Sequence, residues 1–401
     1  MKLRPFLRPL FECDGRALRK LAVNMCWRSF CGMREFAKRQ RKILESGKGD
    51  FFPAFLMISI SDRCNYRCKG CWVSQNSREL SVEEICKIVK AANEKGSYFF
   101  GLLGGEPLMH KGLLEVLRRN PKSYFQIFTN GSLLTRDFAK SLRRLGNATP
   151  LISLEGAEAE SAERRGVKSA YQRALEAMRA CAQEKLFWGV ATSVCKNNFA
   201  DTVNLGHLKF LSTLGAHYMW YYIYRPVGAN PSPELALDKA EIRRLREFLV
   251  DARQSADLIV IDACWDDLGR AICPAASGLS HHISPGGHLE FCPPIQFARE
   301  RFDASKNLAG LFSNSEFLRA MRKVCAGDSR GCILMENPQL LLKTVDSFNA
   351  EDSSGRGSAR AELARSCVLP SHDMSGDEIP ERGFIYKFLK RRYFFGFGAY
   401  G

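Results

Sequence analysis

No stretch of this 401-residue chain stays apolar long enough to cross a bilayer. A span needs about 20 apolar residues, whereas Phe51–Ile60 is short and interrupted by Pro53. A secretory h-region is also missing, which leads us to expect a cytoplasmic chain. Disulfides are disfavoured there, so cysteines are expected to serve as metal ligands or buried thiols. No RNP-type RNA-binding motif occurs, and nucleic acid is not expected as a partner despite the positive charge. No internal repeat is visible beyond an alternation of strand-like and helix-like segments.

What the chain does have is cysteine, fifteen in all. Cys64, Cys68 and Cys71 fall in one short run, Asp62-Arg-Cys-Asn-Tyr-Arg-Cys-Lys-Gly-Cys-Trp72, and the next cysteine is Cys86. Four thiolates close a [4Fe–4S] cluster; three leave one iron with an open position. In metal sites an open position goes with catalysis and a saturated one with structure. A zinc loop is the alternative, but zinc needs a fourth protein ligand, and none stands at finger-like spacing.

Downstream, Gly104-Gly105-Glu106-Pro107 ends the apolar run Tyr98–Leu103, which reads as a buried strand. Glycines just past a strand let a ligand approach the backbone. Taken together, the cysteine loop and the GGEP run resemble the radical S-adenosylmethionine (SAM) superfamily. The likeness covers roughly residues 55–225 and weakens toward 340. It implies a partial (β/α)6 TIM-like barrel and a catalytic [4Fe–4S] cluster on Cys64, Cys68 and Cys71. It further implies reductive cleavage of SAM to a 5′-deoxyadenosyl radical, and an electron donor such as flavodoxin or ferredoxin. Gly104, Gly105, Glu106 and Pro107 are then expected at the methionine end of SAM. Thr129-Asn130-Gly131 and Ser153-Leu154-Glu155-Gly156 match two further landmarks of the family, with Glu155 where Asp is usual. By resemblance to the branch with sulfatase-maturing enzymes, Ser153 and Arg165 are expected to contact SAM. One departure is Gly70, where an aromatic residue commonly packs on the adenine; Trp72 is the expected substitute.

The pattern between these motifs supports a parallel α/β sheet. Ser81 and Glu84 form a capping-box signature for a helix through about Lys95. Strands are expected at 55–60, 97–103, 123–129, 149–154, 187–194 and 217–224, with helices near 111–119, 135–145, 168–184, 200–213 and 237–254. Such βα alternation places every landmark at one rim, the C-terminal ends of the strands.

A second cysteine group follows: Cys273, Cys292, Cys325 and Cys332. The Gly287-x4-Cys292 element resembles the SPASM extension or its shorter twitch form, and the cysteine number suits one auxiliary [4Fe–4S] cluster. Cys264 and Cys367 are alternatives to Cys325, structural zinc is an alternative to the cluster, and His281, His282 and His288 lie nearby. Cys13, Cys26, Cys31, Cys86, Cys181 and Cys195 read as ordinary buried thiols.

Lys and Arg number 59 against 43 Asp and Glu, a formal charge of +16. Much of the excess is terminal, mixed with apolar residues in 1–50 and in Phe384–Phe395. Basic aromatic segments of this kind can lie on anionic membranes; the competing expectation is that the first segment packs across the barrel. The domains expected are a basic amphipathic helical segment (1–50), the barrel (51–260), a small cysteine-rich extension (261–345), and a flexible linker with a basic tail (346–401). The substrate class stays open between a peptide or protein, a cofactor precursor and a lipid. A non-enzymatic iron–sulfur or zinc scaffold is the alternative function.

Overall fold

The computed structural model describes residues 3–46, 49–327 and 329–392. Its centre is a nine-stranded sheet: β1 (Phe55–Ser61), β2 (Phe99–Gly104), β3 (Tyr124–Thr129), β4 (Ala148–Ser153), β5 (Gly189–Val194), β6 (Tyr218–Ile223), β7 (Ile259–Asp262), β8 (Ser280–Ile283) and β9 (Leu289–Glu290). β1 to β7 lie side by side in chain order, all parallel. The strands are buried on both sides; all seven residues of β1 are buried. That double burial is why these strands read as unbroken apolar runs.

Six βα units and a closing seventh strand match the expected layout. Ser81 and Glu84 form the capping box that opens the helix Val82–Glu94. The helix expected over 200–213 is split into Phe199–Thr202 and Leu205–Thr213, because the Asn204 side chain accepts from the His207 N–H and starts a new helix. The cysteine-rich extension is not outside the sheet. β8 adds parallel to β1 on its free edge, and β9 follows antiparallel. Buried polar pairs hold this edge: Ser59 Oγ lies 2.7 Å from His282 Nε2, and His282 Nδ1 2.6 Å from Glu290 Oε2.

The first segment packs beneath the barrel. Arg8 is buried, and its guanidinium donates to Ser212 Oγ, Ala216 O and Asp257 O just before β6 and β7. Asn24 donates to Pro121 O and Ser123 O just before β3. The N-terminal helices therefore close the rim opposite the cysteines. The outer face is different. Leu3, Leu7, Leu10 and Phe11 (84% exposed), Val23 and Trp27 (63%), and Phe384 (79%) and Phe388 all face out.

Residues 346–382 are no solvated linker. Glu351–Asp352 pair antiparallel with Phe297–Ala298, and Arg78 donates to the carbonyls of Ser353 and Ser354. Arg356 bonds Gln296, Ser74 and the Trp72 carbonyl. The segment's polarity is spent on internal hydrogen bonds, which composition cannot distinguish from hydration. Of the basic tail, Phe384–Arg392 is helical, while Tyr393, Phe394 and Phe395 lie outside the described residues.

A buried ionic cluster fastens this C-terminal segment. Arg246, Arg253 and Lys390 surround Asp262 and Glu381, every side chain almost fully buried. Burial drives the Lys390 amine down to about 8, only partly countered by Asp262 and Glu381. Burial opposes ionisation of Asp262 and Glu381, but the three cations outweigh it and hold both carboxyls below their ordinary range. Their stabilisation is thus present above pH 4–5 and lost as pH falls through the folded pKa values. Glu381→Gln leaves buried cations short of a partner and should lower stability by about 3–5 kcal/mol in urea unfolding at neutral pH. A loss below about 1 kcal/mol would show that the cluster is not a tether.

Candidate active site

The cysteine loop leaves β1 and immediately meets the loop that leaves β2. Gly105 N–H donates to Ser61 O and Glu106 N–H to Arg63 O, each at 2.8 Å. A Cβ on Gly104 (φ +131°) would stand 2.0 Å from Ser61 O, and one on Gly105 2.2 Å from Arg63 O. Both glycines are therefore required by the chain's own backbone crossing, a constraint separate from any ligand.

The Glu106 carboxylate is fully enclosed and tied to the third loop. It accepts from Leu108 N–H (3.0 Å), Thr129 Oγ1 (2.7 Å) and Asn130 N–H (2.7 Å). Burial raises its pKa, and these three donors counter the rise. Pro107 starts the short turn Pro107–Met109 that carries the Leu108 N–H. Asn130 in turn donates to Asn65 within the cysteine loop (2.9 Å). The first three loops thus form one hydrogen-bonded unit.

Cys64, Cys68 and Cys71 are brought together. Burial pushes the Cys64 thiol up to about 11, and Cys68 and Cys71 are near enough to add to the rise. The Cys71 thiol is also raised, by the protein packed around it and by Cys68, although the residue as a whole is exposed; Arg165 and Arg164 pull the other way. Arg165 Nη1 lies 3.6 Å from Cys68 Sγ, and its Nη2 donates to Glu155 Oε1 at 2.5 Å. Glu155, where the motif usually has Asp, is the group that aims Arg165 at the thiols. The substitution is visible in the sequence, whereas this role is set by the fold. Ser153 is half-buried at the end of β4, two residues before Glu155.

Trp72 does not take the place left open at Gly70. It stands edge-on to His282, ring centroids 6.0 Å apart, on the side of the extension. The space at Gly70 (φ +66°) is filled by Tyr224, whose Oη would meet a Cβ there at 2.1 Å. Arg164 covers the Tyr224 ring at 4.4 Å. Tyr224 follows β6, some 150 residues away, so no local pattern could have shown it.

The second cysteine group also converges. Burial raises Cys292, with Cys273 and Cys332 adding to it; Cys325 likewise feels Cys273 and Cys332, and burial pushes Cys273 up to about 11. Arg225 reaches in from the end of β6. Burial disfavours its charge, but Cys332, Cys264 and Cys292 more than restore it. Cys264, raised to about 12 by burial, is thus close by, whereas Cys367 is exposed. His281 is a core residue, bonded to Phe291 O and Arg322, and His282 is held by Ser59 and Glu290. Among the described residues no three His, Cys, Asp or Glu side chains close on a single metal-ion position.

With this geometry in place, the chain can be set beside known proteins. Residues 58–205 match the model of the Radical SAM superfamily. These residues form a radical SAM domain. The sequence is 27% identical over 209 residues to the Fe-coproporphyrin III synthase of Methanosarcina barkeri, covering 50% of this chain and 49% of that protein. It is 31% identical over 213 residues to the GTP 3′,8-cyclase of Petrotoga mobilis, covering 46% and 64%. The chain thus spans about half of the first of these relatives and just under two thirds of the second. In fold it resembles Streptococcus suis SuiB bound to S-adenosylmethionine, with TM-score 0.61, 19% identity and 71% of each chain covered. It also resembles anSMEcpe with bound AdoMet, with TM-score 0.55, 15% identity, and 77% and 93% coverage.

Within the radical SAM domain, Glu106→Gln tests the loop unit. One amide NH2 must then face a backbone N–H, either Asn130 or Leu108. We expect a loss of about 1–3 kcal/mol in denaturant unfolding, together with faster amide exchange at Asn130. Wild-type stability and unchanged exchange would show that the carboxylate does not join the loops.

Proposed function

We propose that the chain is a radical SAM enzyme, with its catalytic [4Fe–4S] cluster on Cys64, Cys68 and Cys71. The observation that carries this is the convergence of three thiols with the Glu155-oriented Arg165. The donor set fits the group: three thiols, guanidiniums to offset their negative charge, and no fourth cysteine on the loop. When bound, the cluster and SAM together supply reductive C–S cleavage, giving a 5′-deoxyadenosyl radical that acts on the substrate.

The chain's own residues do the positioning. Gly104, Gly105, Glu106 and Pro107 shape the floor on which the methionine end of SAM rests, Glu106 by holding the loops rather than by offering a free carboxylate. Arg165 supplies positive charge beside Cys68, and Ser153 borders the same space. Tyr224 and Arg164 form the wall above Gly70. Cys273, Cys292, Cys325 and Cys332 hold a second [4Fe–4S] cluster, with Arg225 offsetting their charge. An electron donor of the flavodoxin or ferredoxin type would serve the first cluster. A scaffold without SAM chemistry would need neither the Glu155–Arg165 pair nor its placement at Cys68.

A second reading concerns location. No described helix is long and apolar enough to cross a membrane. The exposed stripe Leu3, Leu7, Leu10 and Phe11, with Trp27, Phe384 and Phe388, is bordered by exposed Arg4, Arg19 and Arg34, as in helices that lie on anionic lipid. Such contact would leave the rim with the thiols facing away from the bilayer.

Two experiments test these readings. After anaerobic reconstitution with iron and sulfide, wild type with SAM and dithionite should release 5′-deoxyadenosine, and Cys68→Ala should release at least a hundredfold less. Equal release by both would overturn the ligand assignment. Wild type should co-sediment with phosphatidylglycerol vesicles and not with phosphatidylcholine, and Phe11→Glu/Trp27→Glu should abolish this; binding unaffected by those changes would refute the membrane reading.

A further inference from the structure

A largely apolar pocket of about 160 Å³, partly open to solvent, has walls that adjoin both thiol groups. Its lining is dominated by Val227, Ile295, Leu334, Leu341, Leu363 and Leu369. One wall is the loop after β6, Pro226–Pro233, with prolines at 226, 231 and 233 that fix its shape. Within it Gly228 (φ +89°) lies so close to the cysteine loop that a Cβ would meet Cys71 O and Trp72 Cα, each at 3.1 Å. The opposite wall belongs to the second thiol group. Ile295 N–H donates to Cys292 O at 3.0 Å, and Met335 N–H to Cys332 O at 2.9 Å.

The roof is the helix Ala359–Ala364 and the irregular stretch after it, tied down where Leu369 N–H donates to Met335 O (2.8 Å). Arg356 pins that roof down. It pairs with Glu362 through two hydrogen bonds (3.0 and 2.7 Å) and reaches Gln296 Oε1 (2.8 Å) and the Trp72 carbonyl (3.4 Å). At the roof Arg356 and Glu362 satisfy one another and Ser366 Oγ donates to Glu362 O, while Arg365 and Cys367 are exposed to solvent; the remaining lining is mostly aliphatic. A dry cavity of about 150 Å³ lined by aliphatic side chains is large enough for a benzene-sized guest, and an apolar cavity with few polar groups is the usual form of a ligand site.

We infer that this cavity anchors a compact apolar group of the substrate, about six to eight carbons in size, within reach of the cysteine loop. The assignment rests on the radical SAM reading for the identity of the bound molecule, but not for the binding itself. An apolar amino-acid side chain and a short alkyl chain share this chemistry. The position explains the roof: ordering 356–369 over the cavity removes the guest from water, and its Arg356 anchor is bonded to the loop that bears the thiols.

The test uses the full reconstituted chain and fluorobenzene as probe, followed by ¹⁹F NMR. Saturable binding is expected, weakened at least tenfold in Val227→Trp, which fills the cavity, and in Ala229→Trp, which blocks it from an exposed position and leaves the core intact. N-acetyl-leucinamide displacing the probe better than octanoate would assign a side-chain guest, and the reverse an alkyl guest. Absence of saturable binding, or binding unchanged in both variants, would overturn the inference. Normal 5′-deoxyadenosine release without probe binding refutes the cavity alone; probe binding with no release from wild type refutes the radical SAM reading alone.

Discussion

Everything at the rim depends on one backbone crossing, where the loop after β2 runs against the start of the cysteine loop. The two hydrogen bonds to Ser61 O and Arg63 O are possible only because residues 104 and 105 have no Cβ. Once they form, the first cysteine is held relative to the sheet. The Glu106 carboxylate then extends the constraint to the third loop through Thr129 and Asn130. A three-thiol site has no internal rigidity of its own; the sheet supplies it through this crossing.

A second level of organisation comes from charge. Thiols in a buried setting resist ionisation, since burial disfavours the charged form. Each group of cysteines has a guanidinium built against it: Arg165 beside Cys68, and Arg225 beside Cys332. Arg165 ends the helix Glu158–Arg165 and Arg225 follows β6, yet both serve the same electrostatic need. The buried cluster of Asp262, Glu381, Arg246, Arg253 and Lys390 does something else. It ties residues 381–390 to β7 and to the helix Lys239–Ser255.

Much of this was legible in the sequence because parallel strands buried on both faces leave uninterrupted apolar runs. The six strands, the capping box at Ser81 and the motifs at 64–71 and 104–107 all depend on short-range patterns. What escaped depends on distance along the chain. Tyr224 fills the space at Gly70 from the end of β6, and β8 joins β1 across more than 200 residues. The segment 346–382 was misread because hydrogen bonds made inside a protein draw on the same residues as hydrogen bonds made to water. Glu155 was visible as a departure, but its bond to Arg165 needed coordinates.

The most direct test of the central claim is electron paramagnetic resonance of the dithionite-reduced, reconstituted chain, before and after addition of SAM. The account requires a reduced [4Fe–4S] signal whose shape changes with SAM. It also requires that replacing Cys64, Cys68 and Cys71 together by alanine removes the SAM-sensitive part and leaves a SAM-insensitive signal from the second group. A signal that ignores SAM in wild type, or one that survives complete and SAM-sensitive in the triple variant, would contradict it.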